Sequence, residues 1–378
     1  MARSRRKRRI IAALLVLCAL VGMVVYLILS IPPSPEPNIT AARQKLTEAR
    51  DNQADVFAPK EYQHAQAIYD SAMTIWQREN QRFLPWRDYE SVIDYADSAL
   101  ALSVVAIEKA AHNARTAKQK SHASIDKLSQ DLKRVGKLYS PLPLKEDFRK
   151  SFNKARLLLE EARIARNKGD YNKAIDITTR AGKLLTEAER IADKRVKDYF
   201  GHYQEWQKLY KDAIAASAKQ NNTLIVVEKL AYRILVYKDG KLKSEFKTEY
   251  GPNWLGVKNH QGDGATPEGM YRVTKKKERG ATIYYKALLI NYPNTDDMTR
   301  YKGKVRSGEI PRHVDVGGLI EIHGHGGRGF NWTNGCVALA DKDMDVVYRL
   351  ASVNTPVLIV GSLVPYETWH ERSLTNTH

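Results

Sequence analysis

Near the C-terminal end of the chain, His323 and Cys336 are of the types needed for nucleophilic acyl transfer. A thiol with a pKa near ~8.5 is mostly protonated at neutral pH, and an adjacent imidazole that accepts its proton leaves a thiolate nucleophile. Both residues lie in Gly318–Leu339, which reads GLIEIHGHGGRGFNWTNGCVAL. Strand alternation predicts Ile320 and Ile322 toward the core and Glu321 and His323 on the opposite face. Gly324 and the glycines after it end the strand. The loop returns through Trp332-Thr333 to Gly335-Cys336, so the imidazole and the thiol are expected to meet side chain to side chain. Gly335 permits close backbone approach or positive φ. The N–H groups of Asn334, Gly335 and Cys336 are then placed to receive the oxyanion of a tetrahedral intermediate.

The chain has two cysteines, and Cys18 falls inside a long apolar run, so Cys336 has no intrachain partner. A leftover thiol has two explanations, catalysis or burial as an inert core residue. Gly324–Gly329 matches G-x-G-x-x-G after a strand, but Asn331, Trp332 and Asn334 follow instead of a helix, which excludes a dinucleotide fingerprint. His323, His325 and His313 lack an acidic ligand at a zincin-like spacing, so no metal is expected. His323 is favoured as the base because it ends a regular strand, whereas His325 sits in the glycine loop and is expected to border the substrate cleft.

Ile322-His323-Gly324, followed by a loop and Thr333-Asn334-Gly335-Cys336-Val337, resembles the catalytic signature of L,D-transpeptidases, the YkuD-type domains of peptidoglycan metabolism. Tyr237–Gly240 and Gly264-Ala-Thr-Pro-Glu-Gly-Met-Tyr271 extend the resemblance, which covers residues 222–361 and not the region before them. It implies Cys336 as the acylated nucleophile, His323 as its base, and the Gly324 carbonyl as the group holding the imidazole. Amides at Asn334 and Gly335 would form the oxyanion hole, with His325, Arg328, Trp332 and Thr333 along the substrate. The substrate class would be peptidoglycan stem peptides, attacked after the third residue with loss of D-alanine, and no cofactor is implied.

The chain departs from the family pattern in three ways. Asn334 stands where a His usually precedes the Gly-Cys, Ala338 where an Arg is common, and the His-to-Cys loop is short. The WTNGC sequence is similar to a divergent branch, some members of which resemble hydrolases. Three activities therefore stay open: transfer, hydrolysis as an L,D-carboxypeptidase or related enzyme, and a non-catalytic wall-binding scaffold.

The elements around this pair read as short strands at 224–227, 232–237, 271–274, 287–292, 319–323 and 357–360. Asp239-Gly240 makes a hairpin turn, and a helix over 342–351 is capped by Asp341 with Met344, Val347 and Tyr348 facing inward. Such a pattern predicts a mostly β sandwich or barrel. Before it, residues 38–220 carry helical periodicity, as in Ala65, Ile68, Tyr69, Ala72, Ile75 and Trp76. Pro59, Asp88-Tyr89 and Ile93-Asp94 recur at one fixed offset as Pro141, Asp170-Tyr171 and Ile175-Asp176. The repeat predicts two helical hairpins that bind a protein partner or merely position the next domain. In the second case the C-terminal domain is expected to fold without them.

Ile10–Ile31 contains no charged residue and, at ~1.5 Å per residue, spans roughly 33 Å, enough to cross a bilayer. The basic cluster before it, from Arg3 to Arg9, should stay in the cytoplasm and send the rest outward. The order expected is a basic tail (1–9), a transmembrane anchor (10–31), a Pro-rich spacer (32–37), the helical repeat region (38–220), the catalytic domain (221–362) and a C-terminal tail (363–378). A single-pass protein of the inner membrane with its catalytic domain in the periplasm is the expectation. The formal charge of +18 lacks the basic-aromatic interleaving of nucleic-acid surfaces, so anionic lipid or wall polymer is the expected neighbour and nucleic acid is not.

Overall fold

The structure, a computed structural model, describes residues 2–278 and 280–375; Met1 of the expected basic tail and residues 376–378 of the expected C-terminal tail lie outside them. Helix α1 (Ala2–Leu29) contains one stretch, Lys7–Leu29, long and apolar enough to cross a membrane, with mean hydropathy 2.9. It stops two residues before the expected end of the span, and Pro32-Pro33 follow.

The chain forms two compact units, Met1–Ile125 with Ala162–Asp176, and Asp126–Glu161 with Ile177–His378. The expected boundary at 220 is therefore not where the units divide. The division falls within α5 (Glu90–Tyr139), α6 (Glu146–Asn167) and α7 (Tyr171–Phe200).

In the first unit, α2 (Glu36–Asp51) reaches α4 (Pro59–Asn80) through the single turn α3 (Ala54–Phe57) and returns antiparallel. Ile39 and Ala42, early in α2, pack with Ala72 late in α4 and with Tyr89, Val92, Ala96 and Ala99 at the start of α5. At the other end Ala49, Ala54, Phe57 and Ala58 pack with Ala106 and Ala110. Small side chains along these stripes let the helices approach closely. Both predicted second helices open at the Asp-Tyr step. Asp88 Oδ1 accepts from Glu90 N at 3.0 Å before α5, and α7 begins at Tyr171.

The second unit holds α8 (Tyr203–Gln220) and an eight-stranded sheet. Its strands are β1 (Thr223–Glu228), β2 (Arg233–Lys238), β3 (Lys241–Lys247), β4 (Gly269–Lys277), β5 (Ala287–Ile290), β6 (Glu321–His323), β7 (Val337–Ala338) and β8 (Pro356–Val360). Their order is β3-β2-β1-β8-β4-β5-β6-β7, with β1·β8 and β6·β7 parallel. Strand β4 explains the curl. Its first half pairs with β8 and its second with β5, with a register shift between Val273 and Lys275 where it passes from one to the other. The curl brings the chain just after β3 back to β7, where Glu249 and Ala338 exchange two backbone hydrogen bonds of 2.9 Å. The expected sandwich or barrel is thus a sheet curled into a half-barrel. The β2–β3 turn carries positive φ at both Asp239 and Gly240, as an Asp-Gly hairpin requires.

Several expectations are corrected. The strand predicted from Leu319 starts at Glu321, because Leu319 has φ 57°. All four residues from Ile320 to His323 are buried, so β6 has no solvent face. Asp341 is the first residue of α10 (Asp341–Leu350) and not its cap; its Oδ1 accepts from His325 N at 2.6 Å. Helix α9 (Thr295–Arg306), opened by an Asn294/Asp297 capping box, was not foreseen. The expected tail contains α11 (Tyr366–Thr375), whose Tyr366 and Trp369 pack on Phe200 with ring centroids 5.6 and 5.8 Å away.

The helices are also no mere spacer for the sheet in this unit. Helix α8 packs on β1, β2, β4 and β8. The buried Glu268 carboxylate accepts from Tyr199 (2.6 Å) and Trp206 (3.2 Å) of the helices and pairs with the fully buried Lys229 (2.7 Å). The Trp206 ring occupies the space a Cβ at Gly361 would need. The sheet of this unit therefore shares part of its core with residues before 220.

Candidate active site

Strand β6 lies between β5 and β7, with His323 paired to Ala287 on one side and Ala338 on the other. Paired residues of parallel strands share a face. Alternation along 336–338 therefore puts Cys336 on the face of Ala338 and His323. The connecting loop is held by backbone bonds from Leu339 N to His323 O and from Gly326 N to Leu339 O, both 2.8 Å. Two glycines make this loop possible. A Cβ at Gly326 would lie 2.8 Å from the Leu339 backbone, and one at Gly335 (φ 114°) would lie 2.5 Å from Ala265 O.

His323 is fully buried, and its Nδ1 lies 2.6 Å from Gly324 O. A carbonyl can only accept, so Nδ1 carries the proton and the neutral ring presents its lone pair at Nε2. That atom is buried and has no hydrogen-bond partner among the described residues. Burial lowers the imidazole pKa to about 4, only partly opposed by the Gly324 bond.

The Cys336 sulfur accepts from Glu321 N at 3.4 Å and lies 3.8 Å from Leu319 O. The residue is 8% exposed, and burial pushes its pKa up to about 11. Thiol and imidazole are consequently both neutral and not hydrogen-bonded to each other here, although they share a face.

The remaining expected site residues separate into two groups. Thr333 is buried and braces the Cys turn, its hydroxyl donating to Cys336 O (2.8 Å) and accepting from Gly335 N (3.3 Å). The Gly335 amide, expected in the oxyanion hole, is thus engaged by Thr333. Asn334, His325 and Arg328 are exposed, and His325 has φ 66°. The Arg328 guanidinium lies 3.6 Å over the Trp332 ring, whose Nε1 donates to Glu249 Oε2 at 2.8 Å.

Tyr284, Glu249 and Lys277 escaped sequence reasoning. Tyr284 stacks on His323 with centroids 3.5 Å apart, and Trp332 meets the same ring edge-on at 5.7 Å. Glu249 clamps the loop through Trp332 and, at 2.6 Å, through Gly329 N. Glu321 is neutralised by Lys277 at 2.6 Å. No motif announces Tyr284. The Lys-Glu pair had no signal because its members lie on different strands.

Residues 222–359 match the family model of the L,D-transpeptidase catalytic domain, YkuD. YafK of Escherichia coli (strain K12) is 30% identical over 108 residues, which is 28% of this chain and 35% of YafK. The chain thus matches about a third of the length of this curated relative. Among solved structures, the helical cell shape determining protein Pgp2 from Campylobacter jejuni is similar at 24% identity and TM-score 0.30, over 40% of this chain and 52% of that one. Bd1075 of Bdellovibrio bacteriovorus is similar at 19% identity and TM-score 0.30, over 41% and 53%.

Proposed function

We propose that this chain, whose residues 222–359 match the L,D-transpeptidase catalytic domain, is a membrane-anchored acyltransferase acting on peptidoglycan stem peptides through a Cys336 thioester. The observation that carries this reading is His323: Nδ1 tied to Gly324 O and an unpartnered Nε2 lone pair on the face that Cys336 shares. A buried acceptor left vacant costs free energy, which a proton donor arriving during reaction would recover.

In this reading Cys336 Sγ turns from Glu321 N toward His323. Nε2 takes the thiol proton as sulfur attacks the carbonyl carbon of the scissile L-to-D peptide bond. The proton then passes to the departing nitrogen, the C–N bond breaks, D-alanine leaves and the acyl group stays as a thioester. An amine attacking that thioester gives its proton to Nε2, and the thiol re-forms. Water in the same place gives hydrolysis. Because neither group is ionised before substrate arrives, proton transfer accompanies attack. Asn334 and Cys336 supply amides for the oxyanion, while Arg328 and Trp332 border the stem peptide. The apolar stretch of α1 anchors the chain in the inner membrane, with the basic residues at the start of that helix in the cytoplasm and the catalytic domain in the periplasm.

The test is incubation of the full chain with defined muropeptides followed by mass analysis. New cross-links mean transfer, shortened stems alone mean an L,D-carboxypeptidase, and neither product, in a protein whose Cys336→Ala variant behaves identically, sinks the enzyme reading. One observation favours a second reading, a non-catalytic wall-binding scaffold: the thiol is buried and satisfied by backbone groups. A carbapenem adduct on the wild type that is absent from Cys336→Ala would exclude it.

A further inference from the structure

The loop between α4 and α5 is built to display apolar side chains. A 3-10 turn at Leu84–Trp86 leaves Trp86 71%, Phe83 57% and Leu84 40% exposed, with Phe83 and Trp86 edge to face at 5.4 Å. This is no slack loop. Arg87 ties its two sides together, donating to Asn80 O (2.9 Å) and Arg82 O (3.1 Å). The buried Glu79 accepts from Arg82 (2.8 Å) and from Asp88 N (3.1 Å). Apolar side chains held outward by so many internal bonds mark a contact surface, since burying them would have cost less.

The position of the loop names its occupant. Helix α2 runs parallel to the start of α5 and antiparallel to α4, because Ile39 and Ala42 pack against Tyr89 and Val92 and against Ala72. Asn38 Nδ2, early in α2, donates to Asp97 Oδ1 at 2.9 Å. The 81–88 loop therefore stands at the end of this bundle where α2 begins. Ser30–Pro35, which join the apolar helix α1 to α2, span at most ~22 Å. Phe83, Leu84 and Trp86 are thus tethered close to the point where the chain leaves α1. Their rim carries Arg78 and Arg82, with side chains 72% and 52% exposed.

Aromatic rings beside guanidinium groups suit the headgroup layer, where rings sit at the interface and cations meet lipid phosphates. We propose that the 82–87 loop is a second membrane contact, seated in the outer headgroup layer of the bilayer that α1 spans, so that the first unit rests on the membrane at two points. This rests on the reading of α1 as a membrane anchor.

The two ideas separate in one experiment on the full chain, reconstituted in vesicles of phosphatidylcholine and phosphatidylglycerol with acyl chains brominated near the headgroup. Resistance to extraction at alkaline pH reports α1. Tryptophan quenching reports the loop, because α1 contains no Trp and Trp86 is one of six in the chain. The expected result is an extraction-resistant protein in which bromine quenches roughly one sixth of the emission. That quenching should be lost in Trp86→Ser and kept in Trp76→Phe, while both variants stay membrane-bound. A resistant protein without quenching, or with quenching that survives Trp86→Ser, overturns the proposal and leaves the loop to a protein partner. A protein extracted at alkaline pH overturns the anchor, and this inference with it.

Discussion

The phenol ring of Tyr284 lies flat on the imidazole of His323, with centroids 3.5 Å apart and planes within 8°. That contact covers one face of an imidazole that is buried and whose pKa burial lowers to about 4. The covering residue lies outside every motif read from the sequence.

Replacing His323 by Ala should slow acylation of Cys336 by ~10²–10⁴-fold, the usual cost of losing a general base. His325→Ala should cost far less, since His325 is exposed with positive φ in the glycine loop. Time-resolved intact-mass detection of the acyl-enzyme measures both, and equal losses would refute His323 as the base.

Tyr284→Ala should admit water to His323 and raise its pKa from about 4 toward the ordinary 6.5. The acid limb of the kcat/KM profile then moves to higher pH. Tyr284→Phe keeps the stack and should leave the limb in place, which distinguishes stacking from any role of the hydroxyl.

Stability should fall on both sides of neutrality. His323 binds its proton less readily folded than unfolded, so its contribution is whole above pH 6.5 and declines as pH drops toward about 4. Cys336 holds its proton more tightly folded, so its contribution is whole below pH 9.0 and declines as pH rises toward about 11. Urea unfolding against pH should show the alkaline decline flatten in Cys336→Ala.

Glu268→Ala should destabilise the second unit by ~3–5 kcal/mol, because Lys229 would remain buried without its partner. Tyr199→Phe, which removes one hydrogen bond to that carboxylate, should cost ~1.5–3 kcal/mol. Deletion of residues 38–219 should give a C-terminal fragment that does not fold cooperatively. Cooperative urea unfolding of that fragment would show the helices dispensable.

Local patterning determined a good deal here. The uncharged run after the basic cluster announced α1, and the Asp-Tyr steps announced two helix starts. Asp239-Gly240 announced its hairpin, and the Ile-His-Gly and Thr-x-Gly-Cys segments announced the match to the L,D-transpeptidase catalytic domain. Each is a property of neighbouring residues, set by side-chain period, turn sterics or motif spacing.

Only the tertiary structure decided how that site is covered and supported. Tyr284, Glu249, Glu268 and Lys229 come from segments remote in sequence, and their roles exist only because the bulge in β4 curls the sheet and α7 and α8 pack against it. The same enclosure buries Glu321 and His323 on the face opposite Ile320 and Ile322. Alternation along one strand reports two faces, whereas burial depends on what the rest of the chain lays over them.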